Sequence, residues 1–115
     1  MKPTPVYVVP HSALQDLDLR EKSQDLTTNV TTTTAVVLGA NKFRSAVFFV
    51  NDSDVTMYVR LGQEAAVNTG IRLNAQGGSL ELNLNNLFKG AISAIHGGVG
   101  NKVLCIQEIE TRYAY

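Results

Sequence analysis

The chain has 115 residues, enough for a single domain whose core buries roughly two thirds of the surface of the unfolded chain. Ten basic residues balance ten acidic ones, and only 17% of the residues are charged. Lys and Arg are scattered singly, which argues against nucleic-acid binding, since phosphate neutralisation needs a basic surplus or stripe. No stretch approaches the roughly 20 apolar residues of a membrane span. We expect no nucleic acid and no membrane as partners, and a weakly charged surface that other proteins partly cover.

The first 28 residues predict an N-terminal arm rather than part of the core. All three prolines, at positions 3, 5 and 10, flank Val6, Tyr7, Val8 and Val9. Proline fixes φ and cannot donate a backbone hydrogen bond, so this piece is expected to be extended and able to pair with the sheet edge of another chain. The segment lacks the apolar core of a secretory signal, which predicts that the protein is made and kept in a cytoplasm until it is assembled.

A short helix is expected over residues 13–22 of this arm. Ser12 and Gln15 fit a capping box, and two acid–base pairs follow at i,i+4 spacing. Leu14 and Leu17 would share one face and dock on a partner, because so short a helix needs a surface to be stable. The alternative is an extended segment that lies across a neighbouring molecule.

The remaining residues, 29–115, alternate short apolar runs with turn residues. Val30 to Leu38 predicts a Thr-rich strand, and the apolar run Ala46 to Val50 predicts a central strand covered on both faces. Residues 51–54 form a turn, and Val55 to Leu61 predicts a strand paired with the one before it. Further strands are expected around Ile71, over 80–84, 91–96 and 102–110, with residues 97–101 as a hairpin loop.

About seven strands at spacings of roughly 8–12 residues predict an all-β fold, a single antiparallel β-sandwich of Ig-like or jelly-roll-like type with an extended or partly helical N-terminal arm. The chain ends in an aromatic tail. Tyr113 and Tyr115 are candidate interface residues, since amphipathic rings bury area at low entropic cost.

Few residues are suited to catalysis. His11 and His96 are the two candidate bases, and a Cys105–His96 pair would need the last two strands to form a hairpin. Cys105 sits in an apolar run, which favours a buried small hydrophobe over an intermolecular disulfide or a reactive thiol. The loop 51–54 lacks the further carboxylates of a calcium site, and 97–102 does not match a phosphate-binding loop. We expect no enzyme, no cofactor and no metal site.

Six segments form a recognisable series: Phe48–Ser53, Met57–Gly62, Gly70–Leu73, Leu80–Leu82, Phe88–Ile95 and Val103–Glu108. The series resembles a loose group of small virion proteins of tailed bacteriophages. In that group an Asn-x-Ser turn, a Tyr-Val-x-x-Gly strand end, a Glu-containing strand and a Lys-Gly-x-Ile-x-Ala-Ile strand recur in this order. The resemblance covers roughly Val47 to Glu108, without the arm.

The resemblance implies a structural virion protein, foremost a capsid decoration (cement) protein that binds the major capsid protein on the capsid surface. It also implies a homo-oligomer, with a trimer as the leading expectation, because many decoration proteins occupy three-fold positions. Two other interpretations stay open: a neck, tail or baseplate component, and a carbohydrate-binding module for receptor recognition. A sugar site usually needs exposed aromatic rings, and only Tyr58 is offered for that role.

Overall fold

A computed structural model describes residues 20–112 as an all-β sandwich. The nine strands are β1 (Arg20–Asp25), β2 (Thr28–Val30), β3 (Ala35–Leu38), β4 (Arg44–Asn51), β5 (Met57–Leu61), β6 (Ile71–Leu73), β7 (Ser79–Leu82), β8 (Ile92–His96) and β9 (Lys102–Arg112). All strand pairs are antiparallel. No described residue lies in a helix, so none of them forms a helix that could span a membrane. The predicted fold class is confirmed.

The strands divide into two sheets. Sheet A has the order β1-β9-β4-β7, with β2 beside β1 on the same edge of β9, and sheet B has the order β3-β8-β5-β6. From β2 onward, most connections cross from one sheet to the other, and only β5 and β6 are sequential neighbours that pair. This pattern, with sheets 2-9-4-7 and 3-8-5-6, is the double Greek key of a jelly roll.

The core lies between the sheets because the alternating residues of each strand point inward on one side. Sheet A contributes mainly β4 and β9 side chains, and sheet B contributes β5 and β8. The buried apolar side chains are Val30, Leu38, Val47, Phe49, Met57, Val59, Leu73, Leu82, Ile92, Ala94, Leu104 and Ile106.

The first strand begins inside the segment that the sequence assigned to the arm. Residues Arg20–Asp25 pair in register with Arg112–Gln107 of β9. The helix predicted over 13–22 is therefore wrong for its last three residues, since a backbone ladder along β9 outweighs a short helix held by i,i+4 pairs. The rest of that helix, residues 13–19, lies outside the described residues.

One expected strand and two expected strand pairings are also wrong. Val30 to Leu38 is not one strand: β2 and β3 lie in different sheets, and a turn over 31–34 separates them, with Thr31 Oγ1 accepting from Thr33 N at 3.1 Å. Strand β5 does not pair with β4, and β8 does not pair with β9. Because β4 and β9 lie in sheet A while β5 and β8 lie in sheet B, the connections over 52–56 and 97–101 join the two sheets and are not hairpin loops.

Two buried polar side chains of β4 hydrogen-bond to backbone carbonyls of loops and of sheet B. Arg44 donates from Nη1 to the carbonyl oxygens of Phe88 (2.7 Å) and Gly90 (3.1 Å). Asn51, at the far end of β4, places Nδ2 at 2.7 Å from the oxygen of Val55 and 3.0 Å from that of Leu73. Both ends of β4 are therefore hydrogen-bonded to sheet B or to the loops that lead into it.

Candidate interaction surfaces

The sequence-predicted interface residues Val6, Tyr7, Val8, Val9, Leu14, Leu17, Tyr113 and Tyr115 all lie outside the described residues. The surfaces that the structure does describe are the outer faces of the two sheets, the sides that point away from the core.

The outer face of sheet A has an apolar centre. Phe48 and Val50 of β4 are each 37% exposed, and Val103 of β9 is 39% exposed. Cys105 pairs with Val50, and Ile109 pairs with Ala46, which places both on the same face. The expectation that the run Ala46 to Val50 is covered on both faces is wrong, because only Val47 and Phe49 point into the core.

Carboxylates border this apolar centre on both edges. Glu81 of β7 pairs with Phe48, while Glu21 and Asp25 of β1 pair with Thr111 and Gln107, which are outer positions of β9. The hydroxyl and backbone N–H of Thr27 hydrogen-bond Asp25 and lower the pKa of its carboxyl. An apolar centre with a polar rim is the usual anatomy of a protein interface.

One end of the same face opens into a groove of about 590 Å³. Ala46, Ile109 and the exposed Leu84 supply its apolar walls, and Lys42 and Lys89 stand at its border. The groove therefore extends the apolar surface toward the end of β9 and adds two positive charges there.

The outer face of sheet B carries basic side chains on its strands. Tyr58 of β5 pairs with Arg72 of β6 and with Ile95 of β8, and Arg60 pairs with Ser93, so these side chains share the face. Tyr58 donates its hydroxyl hydrogen to Asn68 Oδ1 at 2.9 Å, and Arg72 Nε donates to Asn74 Oδ1 at 2.9 Å. Among the described residues, neither guanidinium forms an ion pair.

The candidate nucleophile and base are not brought together. Cys105 is a half-buried free cysteine on the outer face of sheet A, and the prediction of a buried small hydrophobe there is wrong. His96 is completely buried in sheet B. Its Nδ1 accepts the Gly98 N–H at 3.0 Å, so Nε2 carries the proton that it donates to Gly100 O at 2.7 Å. Both ring nitrogens are thus occupied by hydrogen bonds to backbone groups of the 97–100 loop.

Polar groups of the turn after β4 are paired with one another or with Lys102 of β9. Asn51 Oδ1 accepts from Ser53 Oγ at 2.6 Å, while Asp54 pairs with Lys102 at 2.8 Å. The hydrogen bond and the charge of Lys102 lower the pKa of the Asp54 carboxyl. Within residues 20–112, no three His, Cys, Asp or Glu side chains gather closely enough to hold a metal ion.

Sequence reasoning missed Phe48 and Val50 as surface residues. The available signal was the strand period: if Val47 and Phe49 face the core, Phe48 and Val50 must face outward. Comparisons with protein families, curated proteins and solved structures find no match for this chain.

Proposed function

We propose that this chain is a structural protein of a tailed-bacteriophage virion, a capsid decoration protein that binds and stabilises the lattice of the major capsid protein. The six-segment series described above supports the proposal, and those segments lie on β4 to β9 and their connections. Viral capsid domains are among the proteins that use the jelly-roll architecture, which adds support by analogy of fold.

The apolar centre of the outer face of sheet A is the observation that carries a binding role. Phe48, Val50 and Val103 form one exposed patch on β4 and β9, the two strands at the middle of sheet A. An apolar patch of this kind, rimmed by polar residues, marks a site for another protein. We assign to this patch the contact with capsid subunits or with further copies in a homo-oligomer, for which a trimer is the leading expectation.

Copy number in purified virions tests the proposal. Mass spectrometry with isotope-labelled peptides of this chain and of the major capsid protein gives their ratio in each particle. A decoration protein is expected in a fixed ratio to the capsid lattice, so hundreds of copies support the proposal. A handful of copies would instead indicate a neck, tail or baseplate component, and complete absence from washed particles would overturn a virion role.

Carbohydrate recognition is a second candidate function, favoured by the surroundings of Tyr58. This ring lies beside the amide of Asn68 and the guanidinium of Arg72, which can donate hydrogen bonds to a sugar, at a shallow pocket of about 180 Å³. Lectins also use jelly rolls. A glycan array with the wild-type chain and Tyr58→Ala would reveal this function, with Val36→Ala on the same face as the matched control. Equal signals from wild type and Tyr58→Ala would exclude a site at this ring.

A further inference from the structure

The neutral net charge of the chain hides a separation of charge between two opposite faces. On the outer face of sheet A, the charged strand positions are all acidic: Glu21, Asp25 and Glu81. On the outer face of sheet B, the charged strand positions are both basic: Arg60 and Arg72. Lys42 and Lys89 border the groove at one end of the sheet A face, near Glu21. Away from that end, the charged strand positions of each face repel those of a copy of the same face and attract those of the other face.

The two faces also carry matching apolar surface. Phe48, Val50 and Val103 lie at the centre of the outer face of sheet A. Tyr58, Ile95 and the 59%-exposed Val36 lie on the outer face of sheet B. Contact between the faces would remove apolar area from water on both sides while bringing opposite charges together.

We propose that the occupant of the outer face of sheet A is the outer face of sheet B of a second copy of this chain. Such a contact is heterologous, since different surfaces meet, and the pair of copies keeps one free face of each kind. Repetition then builds a ring if the rotation between copies closes, and a filament if it does not. The alternative, a two-fold contact between two outer faces of sheet A, would bring the acidic strand positions of both copies into one interface and is disfavoured by like-charge repulsion.

The inference concerns contacts between copies and stands apart from the virion role. Self-association through these faces without any capsid binding would leave it intact and would count against the decoration role. A monomeric chain that binds capsids would overturn the inference and support the decoration role.

Charge reversal on one face at a time provides the test, because all the altered side chains are exposed or half-buried. One variant carries Asp25→Lys and Glu81→Lys on sheet A, and the other carries Arg60→Glu and Arg72→Glu on sheet B. Sedimentation velocity from micromolar to hundreds of micromolar, at low and high salt, measures association. Val99→Lys, in the exposed 97–100 loop, is the control, and far-UV circular dichroism checks that each variant folds.

We expect wild type and the control to associate, more weakly at high salt, and each double variant alone to associate at least about tenfold more weakly. An equimolar mixture of the two variants should recover association, because every contact in the mixture can join opposite charges. The proposal is overturned if wild type stays monomeric throughout. It is also overturned if the sheet B variant alone associates as wild type does, which would indicate a two-fold contact, or if the mixture fails to recover.

Discussion

Arg44 and Glu108 form a fully buried ion pair across β4 and β9, with Arg44 Nε donating to Glu108 Oε2 at 2.8 Å. Gln24 of β1 donates to the other carboxylate oxygen of Glu108 at 2.9 Å, so three neighbouring strands of sheet A meet at one carboxylate. Desolvating two charges is costly, and the pair is tolerated because its remaining hydrogen-bonding groups are satisfied by backbone carbonyls and by Gln24.

Removal of the Glu108 carboxylate should therefore destabilise the sandwich strongly. Glu108→Ala leaves the Arg44 guanidinium buried without its counter-charge, and we expect a loss of about 3–5 kcal/mol in the free energy of unfolding. Urea titration followed by circular dichroism measures it. Lys102→Ala, which breaks the largely solvent-accessible pair with Asp54, is the control and should cost less than about 1 kcal/mol. Equal losses in the two variants would contradict the role assigned to burial.

Leu82→Ala should destabilise the chain by roughly 2–5 kcal/mol, because Leu82 is 2% exposed and packs in the core. Leu84 is the matched control, since it is 81% exposed two residues later in the chain. Leu84→Ala should change the free energy of unfolding by less than about 0.5 kcal/mol. The same urea titration compares the two, and a loss below about half a kcal/mol for Leu82→Ala would place this side chain outside the core.

Truncation before β1 and truncation after it should differ in their effect on the stability of the fold. Deletion of residues 1–19 leaves every strand described here, so the remaining chain should fold with nearly unchanged stability. Deletion of residues 1–26 removes β1 and with it the hydrogen bond from Gln24 to Glu108. We expect this second deletion to cost at least about 1.5–3 kcal/mol, the usual contribution of a hydrogen bond to a charged group. Thermal unfolding of both truncated proteins measures the difference, and similar midpoint temperatures would show that β1 contributes little to stability.

Acid should weaken the fold in part through Glu110. The hydrogen bond from Asn41 Nδ2, at 3.0 Å, and then the charge of Arg112 lower the pKa of the Glu110 carboxyl below its ordinary 4.5. A carboxyl whose pKa is lower in the folded state stabilises that state above the unfolded pKa, and this stability is lost as the pH falls through the folded pKa. The free energy of unfolding should thus decrease as the pH drops below about 4.5.

Glu110→Gln should flatten this acid dependence, because the variant has no proton to bind at position 110. Asn41→Ala should flatten it as well, since the largest cause of the lowered pKa is removed while the carboxyl stays. Urea titrations across the acid range for both variants and for wild type provide the measurement. An unchanged slope in Glu110→Gln would assign the acid sensitivity to other carboxyls, including Asp25 and Asp54, whose pKa values are also lowered.

The amino-acid sequence by itself determined the fold class and most strand positions. Residues such as Val55 to Leu61 and Leu80 to Leu84 alternate with period two, and the turn residues between them break every longer run. These signals are local, since they depend on side-chain direction within a strand and on backbone preferences at turns. For that reason they identified β5, β7, β8 and β9 and excluded a helical core.

Only the tertiary structure decided which strands pair and which faces remain uncovered. The placement of β4 and β5 in different sheets follows from the closure of one core between two layers, and no turn residue in 51–56 encodes it. The same closure buries Arg44 beside Glu108 and leaves Phe48 outside. Period two gives each strand two faces, but the choice of the buried face depends on distant strands, whose contacts lower the free energy only when the whole sandwich is formed.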